Sequence, residues 1–436
     1  MAWKDREADG GSMTAHQERS RDERPQNRAA ARRPHMMRWP LRATGVVVLA
    51  ATLGCQGLRL SLAPAPEAPT STVAPGLVAT TSPVPSPGVT LAASPTGSGP
   101  GATVEPTATG GALPLATSAV PAINPLTGLP VADASLIQRR PIGIKVSNYP
   151  RTARPQAGLS FADLLFEFYQ EAGDTRFHAI FLSNDVEKVG PIRSGRKVDS
   201  NLQQLYQSLL IFNAADYRVW EYFHITPSQE YIIPEGPAPC PALCRDSSQA
   251  QVNSLYANTA ALRKAANALK IPNIAPDLSG MVFDAAAPTV GTLATDVLVR
   301  FYTDNARAEW RYDAATQKYY RWSETSSGSM SPLKDRLTGE QLSVSNLAVV
   351  FVTFYRPQLV EIYDVMLYGT GRAMLFRDGV ATEGGWLVAD PDKPLEFISQ
   401  AGPFAFHPGV TWIALIGENS TFTQSEGNWR FEFAFP

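Results

Sequence analysis

The sequence predicts an α+β protein: a layered mixed α/β domain at residues 122–280, followed by a mostly antiparallel β domain at residues 281–436. Two observations carry this. In the first stretch strand-like alternation is interleaved with helical periodicity, while from about Asp296 onward β-branched and aromatic runs succeed one another between Gly, Asn and Asp. A third concerns what precedes them: residues 1–54 read as an upstream segment and export leader, and residues 55–121 as a tether rich in Pro, Ala, Thr and Ser.

In chain order, Arg38 and Arg42 introduce an uncharged run from Ala43 to Gly54. Such a run matches the apolar core of a signal peptide and is short of the ~20 residues that cross a bilayer as a helix, so a cleaved leader is expected. Thr52-Leu53-Gly54-Cys55 then places small or aliphatic residues before a cysteine. This resembles the lipobox of bacterial lipoproteins, which implies acylation of Cys55 and a lipid anchor in the cell membrane on its extracytoplasmic face. The alternative is an ordinary signal peptide with a chance cysteine. The Arg-rich stretch before Met36 is too long for a charged n-region, so translation is expected to begin at Met36 or Met37, unless that stretch is a cytoplasmic extension. From Ser61 to Pro121 the only charges are Glu67 and Glu105. A segment of that composition cannot offset its conformational entropy by burial, and extended it would reach on the order of 190 Å.

The formal net charge is −2. The first 54 residues hold ten basic and six acidic side chains, which leaves −6 on the remainder. No basic surface suited to phosphate backbones is announced, and nucleic acid is not an expected partner.

Folded sequence is expected from Ile123. Pro141–Tyr149 alternates Ile142, Ile144 and Val146 with Gly143, Lys145 and Ser147, the period of a half-buried strand. LLFEFYQEAGDTRFHAIFLSN reads as two strands around a turn at Glu171–Thr175, with Phe166, Phe168, Phe177 and Ile180 as core positions. Val198, Leu202, Leu205 and Leu209 have helical spacing, LIFNAA reads as a buried strand, and Asn258 is placed to cap a helix ending near Lys270. In the second region DVLVRFY, AEWRY, KYYRW, LAVVFVTFY, DVMLYG, AMLFRDG and WIALI read as consecutive strands. With Cys55 acylated, Cys240 and Cys244 of CPALC remain as a pair outside the cytoplasm. A disulfide is expected there, with free thiols or a metal site as alternatives; no neighbouring His or second Cys pair completes four ligands.

The motifs INPLTGLP, RRPIGIKVSNYPRTARPQAGLSFADLLFE, DTRFHAIF, VGPIRSGR and SLYANTAALRKA occur in order, followed by TGEQLSVSNLAVVFV, YGTGRAMLFRDGVATEGGW and HPGVTWIALI. Together they resemble the YerB-like lipoproteins, a bacterial family of unknown function, over Ile123 to Ile416. The resemblance implies a two-domain exported protein and supplies no catalytic assignment. The cysteine loop Pro234–Arg245 departs from the family pattern.

GPIRSGRKVD, Gly190–Asp199, is the leading candidate site. A Gly-Pro entry and a Ser-Gly turn before a helix display Arg193 and Arg196, and Arg151, Arg154 and Arg176 lie in other motif segments that could converge on them. Guanidinium forks suit carboxylate or phosphate groups, as in peptidoglycan, another envelope polymer or a protein partner. The competing reading is that these arginines pair with Glu167, Glu171 or Asp199 to lock the fold; Glu167 is retained among the candidate ligand-binding residues. A wall hydrolase with acid and base from Glu167, His178, Asp199 or Asp216 is the alternative function. Ser194–Lys197 fits S-x-x-K without its companion motifs, and no nucleophile elbow, zinc-protease, Walker or dinucleotide motif is present, so catalytic residues stay unknown and no cofactor or metal is called for. DYRVWEYF is dense in aromatics, which either fill a core or stack on sugar rings.

Overall fold

The computed structural model describes residues 121–233, 235–236, 238–302, 306–357 and 362–435. The leader, Cys55 and all but the last residue of the tether lie outside the described residues.

β1 (Ile142–Ser147), β2 (Leu164–Tyr169) and β3 (Thr175–Phe181) form from the alternating apolar runs and pair in the order β2-β3-β1. Phe166, Phe168, Phe177 and Ile180 are fully buried. β1 is buried at every residue rather than on one face, Lys145 and Ser147 included. The reason is a second cover. α1 (Lys197–Tyr206) lies over the face carrying Lys145 and His178, with Tyr206 edge-on to Phe166 at 5.7 Å. The opposite face, carrying Glu167 and Phe177, meets a second sheet.

The helical spacing that runs to Leu209 ends earlier in space. Gln207 adopts a left-handed conformation (φ 44°) and closes α1, and Leu209 opens β4 (Leu209–Ile211), which pairs in parallel with β1 through Ile142. Edge pairing of the backbone outweighs one more apolar residue at helical spacing. α2 (Tyr217–His224) starts at Asp216, whose carboxylate accepts from the Arg218 N–H at 3.0 Å. β5 (Leu243–Arg245) and β6 (Leu255–Ala257) form a small antiparallel pair, and α3 (Thr259–Ala268) is capped by Asn258, which accepts from the Ala261 N–H at 2.9 Å.

The described chain is mostly strand, in two sheet-rich regions that share one sheet. Strand Thr411–Gly417 pairs in parallel with β2 on one side and with Asn346–Tyr355 on the other, so β4, β1, β3 and β2 continue into Gly369–Arg377, Val380–Val388 and Glu396–Ser399. Residues Asp296–Arg300, Arg307–Asp313, Lys318–Glu324, Met330–Pro332, Thr421–Ser425 and Asn428–Glu432 build the second sheet. Trp310 from that sheet meets Trp412 at 5.7 Å, and Phe177 meets Trp412 at 5.3 Å. The main hydrophobic core runs through this junction. A smaller cluster of Leu210, Phe212, Val219 and Phe223 sits separately under α2.

Candidate functional site

The loop Gly190–Arg196 is fixed by backbone bonds on three sides. The Ser147 N–H donates to Pro191 O at 2.8 Å, the Ile192 N–H to Leu255 O at 2.7 Å, and the Arg193 N–H to Lys145 O at 3.0 Å. It therefore runs beside the end of β1, between β6 and the start of α1. Cys240 and Cys244 are joined by a disulfide with Cα atoms 4.7 Å apart. Cys244 lies on β5, which pairs with β6 and so backs the loop.

The arginines separate into two anchored groups and one left over. Arg176 and Arg196 both converge on Glu171: the Arg196 Nε donates to Glu171 at 2.8 Å, its Nη2 bonds the other carboxylate oxygen, and Arg176 Nη2 stands 3.6 Å away. Arg151 and Arg154 reach the buried Glu324 at 3.2 and 3.1 Å, where the Tyr149 hydroxyl also donates. These two line an open cleft of ≈590 Å³ with Lys334, Thr325 and Ser331. Among the described residues Arg193 forms no ion pair with a carboxylate, although the Asp174 charge attracts it. Its Nη1 donates to the Val252 carbonyl at 3.1 Å, and its buried Nε bonds nothing among the described residues.

Asp174, in the β2–β3 turn, ties the groups together electrostatically. Burial raises its pKa, and the charges of Arg176, Arg193, Arg151 and Arg154 act against that rise. Arg176 is itself pushed down to about 10, first by burial and then by repulsion from Arg193. Two guanidiniums held close enough to repel are a place where a bound anion lowers the energy of the fold.

Glu167 is not part of this surface. It lies on the other face of the sheet, where both oxygens accept from Arg321 Nη2 at 3.1 and 3.0 Å and Thr175 donates at 3.0 Å. His178 and Asp199 are fully buried under α1: His178 Nδ1 stands 2.9 Å and Lys145 Nζ 3.1 Å from Asp199 Oδ1. Burial drives Lys145 down to about 7 and lowers His178 as well. It would raise Asp199, but the Lys145 charge, the His178 bond and the Arg196 N–H hold that carboxyl at about 2. Asp216 caps α2 and chelates Arg218 at 2.8 and 2.9 Å. Glu167, His178, Asp199 and Asp216 thus do not gather in one cleft. Among the described residues no three His, Cys, Asp or Glu side chains are placed to hold a metal ion.

Glu324, Asp174 and Arg321 went unremarked in the sequence, and Lys145 was read only as a polar position on a half-buried strand. A lone lysine inside the otherwise apolar and small run PIGIKVSNY was the one available signal, since a lysine there must find a buried carboxylate if both faces are covered.

Two family profiles match this chain: "Protein of unknown function (DUF3048) N-terminal domain" over residues 126–272 and its C-terminal domain over residues 297–413. The Bacillus subtilis (strain 168) protein named "Putative lipoprotein YerB" is 27% identical over 317 residues, spanning 70% of this chain and 88% of that protein. The crystal structure of YerB protein from Bacillus subtilis superposes with a TM-score of 0.59 at 25% identity, covering 68% of this chain and 96% of that one. With both halves matched in order and the fold shared, the chain belongs to the YerB-like, DUF3048 family.

Proposed function

We propose that this is a lipoprotein of the extracytoplasmic face of the cell membrane, moored through acylated Cys55 and a tether at residues 55–121, that binds an anionic envelope polymer or protein partner at the Gly190–Arg196 loop. Residues 122–280 act as the binding domain, a layered mixed α/β body, and residues 281–436 brace it from the far side of the sheet. The mooring is supported by the lipobox-like TLGC, by the name of the Bacillus relative, and by the Cys240–Cys244 pair, which suits an oxidising compartment.

The observation that carries the binding reading is Arg193: a half-buried loop guanidinium that forms no ion pair among the described residues, attracted by Asp174 and repelling Arg176. Peptidoglycan stems and wall polymers offer the carboxylates and phosphates that a guanidinium fork grips in pairs. Co-sedimentation with purified peptidoglycan tests it. The wild type should pellet with the wall in a salt-sensitive manner and Arg193→Ala should not, because this substitution strands no carboxylate. Adding Arg196→Ala is expected to deepen the loss but also frees Glu171, so the single variant is decisive. Equal pelleting of Arg193→Ala and wild type overturns the proposal. Absence of wall binding, with a co-purifying protein lost in Arg193→Ala, assigns the site to a protein partner.

A further inference from the structure

We infer that the groove beside α2 formed by Trp220, Phe223, His224, Gln229 and Ile232 is a subsite for a single uncharged sugar ring. Its volume is ≈220 Å³. That is below the roughly 300–1,000 Å³ of pockets for larger ligands and matches one pyranose. Trp220 is partly exposed and held from behind, with Phe212 at 5.2 Å and Phe223 edge-on at 6.1 Å. His224 lies tilted to the indole at 5.9 Å, so the ring is immobilised by its neighbours while part of its surface stays exposed, and a sugar's C–H face can stack on such an aromatic at small entropic cost.

The polar groups around it are unspent. His224 Nδ1 lies 2.7 Å from the Trp220 carbonyl, and since a carbonyl only accepts, Nδ1 carries the proton and Nε2 is left to accept from a hydroxyl. Gln229 is exposed, and among the described residues its side-chain amide has no partner. A planar amide offers a donor and an acceptor side by side, the spacing of vicinal hydroxyls or of an N-acetyl group. Apart from His224 the lining holds no ionisable side chain, so the groove offers an acidic ligand no lysine or arginine and suits a neutral one.

The groove adjoins the arginine loop. A Cβ on Gly195 would stand 3.0 Å from Phe212 and 3.2 Å from Phe223, so the loop rests on Phe223, which lines the groove, and on Phe212 behind it. The inference deepens the envelope-polymer reading and takes its biological ligand from it: a chain carrying both neutral sugars and acidic groups would meet Trp220 with the first and Arg193 with the second.

Calorimetric titration of the full chain with chitotriose, an uncharged N-acetylated trisaccharide, separates the two. Saturable binding is expected, weakened ~tenfold or more by Trp220→Ala and about threefold by Gln229→Ala, and unchanged by Arg193→Ala. No saturable binding by the wild type, or wild-type affinity in Gln229→Ala and Trp220→Ala, overturns the subsite. Should Trp220→Ala misfold, the exposed pair His224→Ala and Gln229→Ala decides. Chitotriose binding retained with wall pelleting lost in Arg193→Ala supports both sites. Chitotriose binding with wall pelleting indifferent to Arg193 defeats only the arginine reading, and pelleting that depends on Arg193 without chitotriose binding defeats only the sugar subsite.

Discussion

The two faces of the β1–β3 sheet hold buried charge in different ways. On the face toward the second sheet, Glu167 meets Arg321, a planar ion with three further stabilisers: Thr175 donates to the carboxylate, and the Trp310 and Trp412 rings lie 4.7 and 5.4 Å from the guanidinium carbon. On the face under α1, Asp199 meets Lys145, a point charge over the Phe168 ring at 3.9 Å, and a histidine. His178 Nε2 and Ser208 Oγ are buried there without partners among the described residues. The arginine face is a permanent lock between the two halves of the chain. The lysine face can shed its proton, because an ammonium gains more than a guanidinium from releasing one when buried.

The largest effect is expected from breaking the lock. Glu167→Gln leaves Arg321 charged and uncompensated at about 1% exposure, which should cost about 3–5 kcal/mol in urea unfolding. A cost below ~1 kcal/mol would mean that the two halves do not depend on this pair.

Next comes the titrating face. Lys145 has a folded pKa of about 7 against 10.5 for the free side chain, so between those values the unfolded chain binds a proton that the folded chain lacks. Stability should therefore rise with pH above 7, by up to ~1.4 kcal/mol per unit, until tyrosines of the unfolded chain begin to ionise near pH ~10. Lys145→Met combined with Asp199→Asn should flatten that rise when melting is followed from pH 6.5 upward. A double variant with the same slope as wild type would assign the effect elsewhere. Glu167→Gln should leave the slope intact. Gly143→Ala sharpens the contrast further: its Cβ would sit 2.5 Å from His178 Nε2 and 2.9 Å from Ser208 Oγ, so the imidazole must shift against Asp199 at a cost of ~1–3 kcal/mol.

This difference explains what the sequence could and could not disclose. Phe166, Phe168, Phe177 and Ile180 were legible because strand alternation is local, and so was the Asn258 cap, whose partner is three residues away. Glu167 and Arg321 are 154 residues apart, and Arg151 and Glu324 are 173 apart. No periodicity connects them, so Glu167 was left between a ligand-binding role, a catalytic one and a structural pair with the wrong arginines, and Glu324 went unseen. The end of α1 misled for a related reason: Leu209 kept helical spacing, and only its pairing with β1 made it strand. The arginine motif was legible as a cluster, but which member forms no ion pair depended on Glu171 and Asp174 in the β2–β3 turn and on Glu324 arriving from a distant strand.

Arg193 should give the smallest change in stability and the clearest change in response. Its side chain hydrogen-bonds only a backbone carbonyl, and its repulsion of Arg176 offsets its attraction to Asp174, so Arg193→Ala is expected to shift unfolding by no more than about 0.5 kcal/mol. Inorganic phosphate supplies countercharge beyond that of Asp174. It should raise the melting temperature of the wild type in proportion to ln(1 + [L]/Kd) and leave Arg193→Ala unmoved at equal ionic strength. Chloride at matched ionic strength separates site binding from screening, since screening of the Arg176–Arg193 repulsion needs no particular anion. Equal phosphate stabilisation of both proteins would place the anion elsewhere and leave Arg193 as one more solvated charge. A response confined to the wild type would set the loop apart from both buried faces, as the region where this fold leaves a positive charge for something outside it to meet.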